Sequence, residues 1–306
     1  MELVGKIKID YSSYIGKDLY SDGAIEDVLL DIVKSYNKDE YSRIIRDKQE
    51  WAILYHLSNN RGNIVEWMDD DKDATVLEVG AGCGAITGTL AEKYKKVTCI
   101  DLSKRRSLIN AYRNKDKDNI EIKVGNYKDI AEKLVEKYDI ITLIGVFEYA
   151  SGYMGTDEPY VDFLNSLKKH LKPNGKIIIA IENKFGLKYW AGCVEDHKGV
   201  VYEGIEGYLN TKDVSTFTKD GLINVVKQSG CVIEKFYYPY PDYKLPMTIY
   251  SDEYLPKVGE LNNNSNNFDA DRIVTFDESK VFDTIINEGK FPEYSNSFLV
   301  IIKEDV

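Results

Sequence analysis

The segment VLEVGAGCGAITG at residues 76–88 decides the fold class. It places Gly80, Gly82 and Gly84 directly after an apolar run. Gly80 permits a tight turn out of a strand, Gly82 lets the backbone approach a ligand because it carries no Cβ, and Gly84 opens a helix without crowding it. An ordinary strand-to-helix turn seldom needs three glycines so close together. The segment therefore predicts a ligand-binding turn between a strand and a helix.

A regular alternation of strand and helix patterns begins near residue 74. Alternation of this kind predicts βαβ units, and right-handed crossovers then give a doubly wound, mostly parallel sheet. We therefore predict an α/β fold with a seven-stranded Rossmann-like sheet. The predicted strands lie at about 75–79, 97–100, 120–124, 139–144, 176–181, 231–238 and 297–303, and the helices between the first five lie at about 84–95, 103–113, 127–136 and 159–171.

The limits of this alternation set the predicted domain boundaries. Residues 1–73 carry helical spacing of apolar residues and are predicted to form a mainly helical N-terminal extension or lid. Residues 74–306 form the main domain. Two stretches without a regular pattern, at about 186–216 and 240–290, are predicted to be insertions into that domain.

Composition excludes several classes of protein. The chain has 306 residues, with 51 acidic and 40 basic side chains and a net charge of −11, which disfavours a nucleic-acid partner. Its four cysteines are scattered and predict neither a disulfide framework nor a zinc site. No apolar run approaches the roughly 18 residues of a membrane span, and the first residues lack the pattern of a signal peptide. We expect a cytoplasmic protein without a membrane span.

Two acidic residues bear on the identity of the ligand, because the glycine spacing also fits a dinucleotide-binding turn. Asp101 ends the second strand, where an acid binds ribose hydroxyls in either kind of cofactor. Ser103 is the better placed N-cap of the next helix, which leaves Asp101 free. Glu78 lies inside the apolar strand, where a carboxylate is costly to bury without a partner. A pyrophosphate gains nothing from that charge, so Glu78 argues against NAD; a carboxylate paired with a lysine is the alternative interpretation.

These elements resemble the class I S-adenosylmethionine-dependent methyltransferases, which implies S-adenosylmethionine as cofactor and methyl transfer as reaction. The chain also resembles a bacterial subgroup associated with glycan or secondary-metabolite biosynthesis, which implies a small-molecule or glycan-type acceptor facing the two insertions. The first resemblance is carried by VLEVGAGCG at 76–84, TCIDLS at 98–103, YDIITLIGVFEY at 138–149 and LKPNGKIIIAIEN at 171–183, and the second by IENKFGLKYWAG at 181–192, EDHKG at 195–199, GIEGY at 204–208 and YYPYPDYKLP at 237–246.

The first resemblance also implies which residues bind the cofactor, at the ends of the first four core strands. Asn126 stands where many family members place an acid near the adenine amine, and its side chain can still accept a hydrogen bond there. The residues expected to bind the cofactor are Glu78, Gly80, Ala81, Gly82 and Gly84 around the methionine part, Asp101 at the ribose, Leu102 at the adenine, and Asn126, Tyr127 and Gly145 after the third and fourth strands.

Methyl transfer from a sulfonium depends mainly on positioning, and a base matters only for an alcohol or a protonated amine. His197 is the preferred candidate base because imidazole titrates near neutral pH, with Glu195 and Asp196 available to orient it. A surface histidine in a polar loop is an equal alternative. Glu182 and Glu148, at strand ends, are the other candidates. Consecutive residues seldom converge on one ion, so we expect no metal at residues 195–197.

Three hypotheses remain open at this point. The first is an enzyme that methylates oxygen or nitrogen of a small-molecule or glycan-type acceptor. The second is an NAD-dependent oxidoreductase, and the third is a catalytically silent subunit that keeps a cofactor pocket. The sequence does not identify the acceptor, the atom methylated or the oligomeric state.

Overall fold

The computed structural model describes residues 1–264 and 272–305, which contain ten strands where the sequence predicted seven. The strands are β1 (Glu2–Val4), β2 (Ile7–Ser13), β3 (Asp71–Val79), β4 (Tyr94–Asp101), β5 (Ile120–Gly125), β6 (Tyr138–Ile144), β7 (Leu171–Glu182), β8 (Cys231–Tyr240), β9 (Thr248–Ser251) and β10 (Ser297–Glu304). The helices are α1 (Ile25–Ser35), α2 (Tyr41–Lys48), α3 (Trp51–Leu57), α4 (Asn63–Glu66), α5 (Thr87–Lys93), α6 (Lys104–Arg113), α7 (Tyr127–Ala131), α8 (Ala150–Met154), α9 (Pro159–Lys168), α10 (Leu187–Trp190), α11 (Lys219–Gln228), α12 (Glu278–Asn287) and α13 (Phe291–Tyr294).

The chain divides into two compact units, of which the first comprises Met1–Leu143 and Lys169–Lys176. Its strands follow the order β1-β2-β5-β4-β3-β6. Every neighbouring pair from β2 to β6 is parallel, and only β1 runs antiparallel to its neighbour. This mixed α/β arrangement with a mostly parallel sheet is the predicted Rossmann-like fold, and it brings the carboxyl ends of β3, β4 and β5 to one edge.

The N-terminal 73 residues are less helical than predicted, because β1 and β2 precede the helices. The strand β2 pairs in parallel with β5 and is therefore part of the sheet. Ile7 and Ile9 are fully buried on either side of exposed Lys8, which is the two-residue period of a strand with one buried face. The following helices pack as expected from their apolar spacing: Leu29 on α1 joins a core cluster with Ile109 on α6.

The second unit comprises Ile144–Lys168 and Ile177–Val306. Its strands, beginning with the second half of β7, follow the order β7-β10-β8-β9, and all neighbours are antiparallel. The predicted insertion at 186–216 contains α10 and a series of turns, and the insertion at 240–290 contains β9 and α12. Part of the second insertion, residues 265–271, lies outside the described residues.

No helix in the described part of the chain has the length and apolar character needed to cross a membrane.

Candidate active site

The glycine turn, residues 80–84 between β3 and α5, has left-handed backbone at each of its glycines. The φ angles are +72° at Gly80, +52° at Gly82 and +73° at Gly84. A Cβ at Gly82 would meet no heavy atom within 4 Å, whereas a Cβ at Gly84 would overlap the side chain of Asn110 on α6. Gly82 therefore borders open space, and Gly84 is needed for close packing of the helix.

Four amide groups of the glycine turn have partners within the protein, and that of Gly84 donates to the carbonyl oxygen of Ala81 at 3.0 Å. Gly80 and Ala81 donate to the carbonyl oxygen of Ile100, at 2.8 and 3.2 Å. Gly82 donates to Oδ2 of Asp101 at 2.7 Å. A pyrophosphate-binding turn directs such amides at the ligand. Here a carboxylate occupies the place of an anionic ligand, which disfavours a dinucleotide.

Asp101 at the end of β4 is not free, contrary to the sequence prediction. Ser103 does cap α6, because its hydroxyl accepts from the amide of Arg106 at 3.1 Å. The amide of Ser103 nevertheless donates to Oδ1 of Asp101 at 2.9 Å, while Gly82 holds the other oxygen. Burial raises the pKa of Asp101, and these amides and Arg106 oppose that rise. Each carboxylate oxygen retains a second lone pair, so a ribose hydroxyl can still donate to it.

Glu78 lies beneath the glycine turn with a side chain that is almost fully buried. Burial raises the pKa of Glu78 to about 7. Two hydrogen bonds oppose this rise, one of 2.6 Å from the hydroxyl of Thr87 and one of 3.4 Å from the thiol of Cys99. Its hydrogen-bond partners are thus a hydroxyl and a thiol rather than the lysine considered above. Asn110 donates to Thr87 at 3.0 Å and completes a buried polar chain that the sequence did not reveal.

The residues predicted near the adenine lie after β4 and β5. Asn126 is the N-cap of α7, and its side chain accepts from the amide of Lys128 at 3.0 Å. Tyr127 is buried and Leu102 is half-buried. The capping bond engages the side-chain oxygen of Asn126, the atom that was expected to face the adenine amine.

Gly145 belongs to the second unit, where its backbone is left-handed at φ +69°. A Cβ at this position would lie 2.7 Å from the hydroxyl oxygen of Tyr243. That hydroxyl donates to Oε1 of Glu182 at 3.1 Å. The structure therefore gives Gly145 a packing role: it makes room for the tyrosine that holds Glu182.

The second unit also brings together the three candidate catalytic residues, which with Glu195 form what we call the histidine cluster. Nδ1 of His197 lies 2.7 Å from Oε1 of Glu195. Nε2 lies 3.3 Å from Oε1 of Glu148 and 3.7 Å from Oε2 of Glu182. The side chain of His197 is only 6% exposed, so its interpretation as a surface histidine is wrong.

Glu195 orients the imidazole, as predicted. The amides of His197 and Lys198 donate to its Oε2 at 2.8 and 2.7 Å, and the hydroxyl of Tyr208 donates to its Oε1 at 3.0 Å. Burial alone raises the pKa of Glu195, but His197 and the amides lower it overall. Because an ionised carboxylate only accepts hydrogen bonds, Nδ1 of His197 is the donor.

Asp196, by contrast, does not orient His197. It pairs with Lys188 at 2.9 Å and with Lys244. Lys244 also lies 2.8 Å from Oε1 of Glu182. Sequence reasoning singled out the aromatic and proline-rich segment at 237–246 but not this lysine, because no spacing rule links residue 244 to residues 182 and 196.

The charge state of His197 differs from the one expected. Burial lowers the pKa of its imidazole, but Glu182, Glu148 and Glu195 together raise it well above the usual value. Burial likewise raises the pKa of Glu148, against the opposing effect of His197. In the protein alone, His197 is therefore an imidazolium at neutral pH rather than the neutral base predicted.

The elements that carry the histidine cluster are fixed by backbone contacts. Glu148 sits in a short 3-10 turn after β6, and its carbonyl accepts from Tyr160 at 3.1 Å and from the amide of Ser215 at 3.0 Å. Glu182 is the last residue of β7 and is fully buried. The segments join distant parts of the chain, so the cluster is a product of tertiary packing.

Comparison with known proteins gives a match to the family described as "Methyltransferase domain" over residues 77–177. The chain is 28% identical over 204 residues to a ubiquinone biosynthesis O-methyltransferase of Rickettsia bellii, covering 61% of this chain and 78% of the relative. It is 25% identical over 221 residues to the enzyme of the same name from Rickettsia conorii, covering 71% and 68%. A methyltransferase from Thiobacillus denitrificans, solved with S-adenosyl-L-homocysteine, matches at 13% identity and a TM-score of 0.45, covering 93% of this chain and all of that one.

The family match begins inside β3 and ends in β7, so it contains the glycine turn and Asp101. The match favours methyl transfer over the oxidoreductase, and the carboxylate that accepts from the amide of Gly82 also disfavours a dinucleotide. The chain is therefore an enzyme, a methyltransferase that depends on S-adenosylmethionine.

Proposed function

We propose that this enzyme transfers the methyl group of S-adenosylmethionine to a hydroxyl oxygen of a small-molecule acceptor. The relatives in Rickettsia are named as O-methyltransferases, which favours oxygen over nitrogen. Because the chain also resembles a bacterial subgroup associated with glycan biosynthesis, the proposed acceptors include sugars with a free hydroxyl. The net charge of −11 argues for a small acceptor rather than a nucleic acid.

The glycine turn is the proposed cofactor site. When bound there, S-adenosylmethionine supplies a methyl group activated by its sulfonium. The open space at Gly82 admits the ligand close to the backbone. Asp101 would accept from the ribose hydroxyls through its remaining lone pairs, and Glu78 would place its carboxyl group near the methionine part. Ala81, Leu102, Asn126 and Tyr127 are further proposed contacts.

The histidine cluster is the proposed site at which the acceptor loses its proton, and it is the observation that carries the assignment to oxygen. A hydroxyl must lose its proton as it is methylated, whereas a neutral amine need not. Glu148 and Glu182 place two buried carboxylates beside one imidazole, and Glu195 holds that imidazole in place. Because His197 already carries its proton, one of these two carboxylates is the proposed acceptor of the proton that the hydroxyl loses. The insertion at 186–216, which carries His197, is accordingly proposed to face the acceptor.

A methyl-transfer assay tests this function. The purified chain is incubated with labelled S-adenosylmethionine and a panel of phenols, catechols, sugar nucleotides, amines and thiols, and the products are identified by mass spectrometry. We expect transfer to a hydroxyl, and a fall in rate of about 10²-fold or more in Glu148→Gln. Glu203→Gln is the matched control, because Glu203 is a buried carboxylate that binds Asn210 and not the cluster. Transfer only to an amine or thiol would contradict the proposal.

A further inference from the structure

We infer that Glu148, Glu182 and His197 form a binding site for one divalent transition-metal ion, zinc or manganese. Each residue offers one ligand atom, and the three atoms lie within 4.8 Å of one another. The inference concerns the histidine cluster alone and holds whether or not the proposed acceptor is correct.

The spacing of these atoms fits coordination better than direct pairing. Nε2 of His197 lies 3.3 Å from the nearer oxygen of Glu148 and 3.7 Å from that of Glu182. Hydrogen bonds between charged nitrogen and oxygen are shorter, at about 2.7–2.9 Å. Two ligands bound tetrahedrally at about 2.0–2.2 Å from an ion lie about 3.4 Å apart. The observed distances bracket that value.

The imidazole presents the correct nitrogen for coordination. Nδ1 donates to Glu195, at 2.7 Å, so Nε2 is the atom that faces the two carboxylates. Because His197 is an imidazolium in the protein alone, Nε2 releases its proton when the ion binds. Glu195 is itself fixed by the amides of His197 and Lys198. A histidine that binds a metal usually donates its other ring N–H to a carboxylate, and this partner sets the tautomer and the ring orientation.

Two buried carboxylate oxygens of the cluster point to a missing cation. Oε2 of Glu148 and Oε2 of Glu182 accept no hydrogen bond from any described residue. Glu148 is 1% exposed and Glu182 is fully buried, so neither carboxylate reaches bulk solvent. A buried acceptor without a partner is unfavourable, and an ion bound between the two carboxylates reduces that cost.

The charges around the cluster also favour a cation. Lys244 binds the other oxygen of Glu182, at 2.8 Å, and leaves Oε2 for the ion. The carboxylates outnumber their cationic partners, which leaves an excess of buried negative charge. The largely buried carboxylates are Glu148, Glu182, Glu195, Asp196 and Asp242, and their partners are Lys188, Lys244 and His197.

This site differs from the consecutive triplet 195–197 that the sequence suggested and rejected. Asp196 forms ion pairs with two lysines. Glu195 accepts a hydrogen bond from Nδ1 of His197 and is not a proposed ligand of the ion. The remaining ligands come from strand ends far along the chain, which explains why the sequence predicted no metal. The imidazole ligand favours zinc over magnesium and calcium, which prefer sites made of oxygen alone, and the two carboxylates also suit manganese.

Metal binding by the whole chain, without cofactor or acceptor, tests the inference. The protein is dialysed against a chelator, loaded with Zn²⁺ or Mn²⁺, gel-filtered and analysed by mass spectrometry for metal content. We expect one ion per chain, tighter binding of Zn²⁺ than of Mg²⁺ by calorimetry, and a rise in the melting temperature of the wild type on loading. Absence of stoichiometric binding would overturn the inference, even if methyl transfer is found.

Variants locate the ion. His197→Ala and Glu148→Gln should lose the stoichiometric metal, and Glu195→Gln should bind it about 10–100-fold more weakly because Glu195 only supports the imidazole. His170→Asn is the matched control, since His170 is a buried histidine of the first unit. The wild-type Co²⁺ derivative gives a second measurement that needs no variant: its visible spectrum reports a site with nitrogen and oxygen ligands. Retention of metal by all three cluster variants would place the ion elsewhere and overturn the inference.

Discussion

The glycine turn and the histidine cluster bury negative charge in opposite ways. In the turn, Glu78 is satisfied by the neutral donors Thr87 and Cys99, and burial raises its pKa to about 7. In the cluster, several carboxylates surround His197, and their charge keeps its proton in place. The turn comes from one continuous segment, whereas the cluster comes from several distant ones.

The glycine turn and the histidine cluster are therefore stabilised by different physical interactions. The turn depends on left-handed backbone and on close packing at Gly84, and the donors to its buried carboxyl group are neutral. The cluster depends on opposed charges and is sensitive to the loss of one partner, because a buried charge without a partner is costly. Substitutions at His197, Gly84, Glu78 and Asp101 test whether the two regions differ in this way.

The largest effect is expected for His197→Ala. This change removes the only imidazole among the three carboxylates of the cluster, and we expect turnover to fall by about 10²–10⁴-fold. Affinity for S-adenosylmethionine, measured by calorimetry, should stay within about twofold, since the proposed cofactor residues lie in the first unit. Wild-type turnover in this variant would remove His197 from the mechanism.

Gly84→Ala should cause the largest loss of stability. The new Cβ overlaps Asn110, and the backbone at φ +73° disfavours any side chain. Together these effects should lower the free energy of unfolding by about 3–4 kcal/mol, measured with urea.

Gly82→Ala is the matched control, because it shares the left-handed backbone but has no neighbour within 4 Å. It should lower the free energy of unfolding by only about 1–2 kcal/mol and should weaken cofactor binding more than its stability loss suggests. Equal losses of stability in both variants would mean that the two glycines do not have separate roles.

Glu78→Gln should stabilise the protein at alkaline pH. The unfolded chain ionises Glu78 from a pKa of 4.5, whereas the folded protein keeps the proton up to about pH 7. The group's contribution to stability is therefore full below pH 4.5 and is lost as pH rises to about 7. The substitution removes this loss of stability, which amounts to about 3 kcal/mol when unfolding at pH 8 is compared with unfolding at pH 4.

Cofactor affinity gives the Glu78→Gln variant a second outcome. If the carboxylate acts on the methionine part, the stabilised variant should bind S-adenosylmethionine more weakly than the wild type.

An identical pH dependence of stability in variant and wild type would contradict the assignment of a raised pKa to Glu78.

The smallest effect is expected for Asp101→Ala. Loss of a charged acceptor for the ribose should weaken cofactor binding about tenfold in a calorimetric titration, with the fold intact by circular dichroism. Asp129→Ala is the control, because Asp129 is an exposed acid on α7. Equal affinities of the two variants would count against a ribose contact at Asp101.

The sequence predicted the core of the fold because its signals are local. All five predicted strands between residues 75 and 181 are present as β3 to β7, and the helix at 103–113 is α6 almost to the residue. Apolar runs, glycine positions and the cap at Ser103 act over a few residues. They can be recognised in the sequence without knowing which distant segment they contact. The sequence did not show that β2 belongs to the sheet, because its pairing with β5 joins segments more than a hundred residues apart.

The sequence by itself determined the α/β class, the position of the glycine turn and the type of cofactor, since one segment carries the conformations that these need. Only the tertiary structure decided the state of the candidate site. It bound the amide of Gly82 to Asp101, buried His197 among Glu148, Glu182 and Glu195, and brought Lys244 to Glu182. Burial and charge are sums over neighbours from distant segments, and no single stretch of sequence contains them.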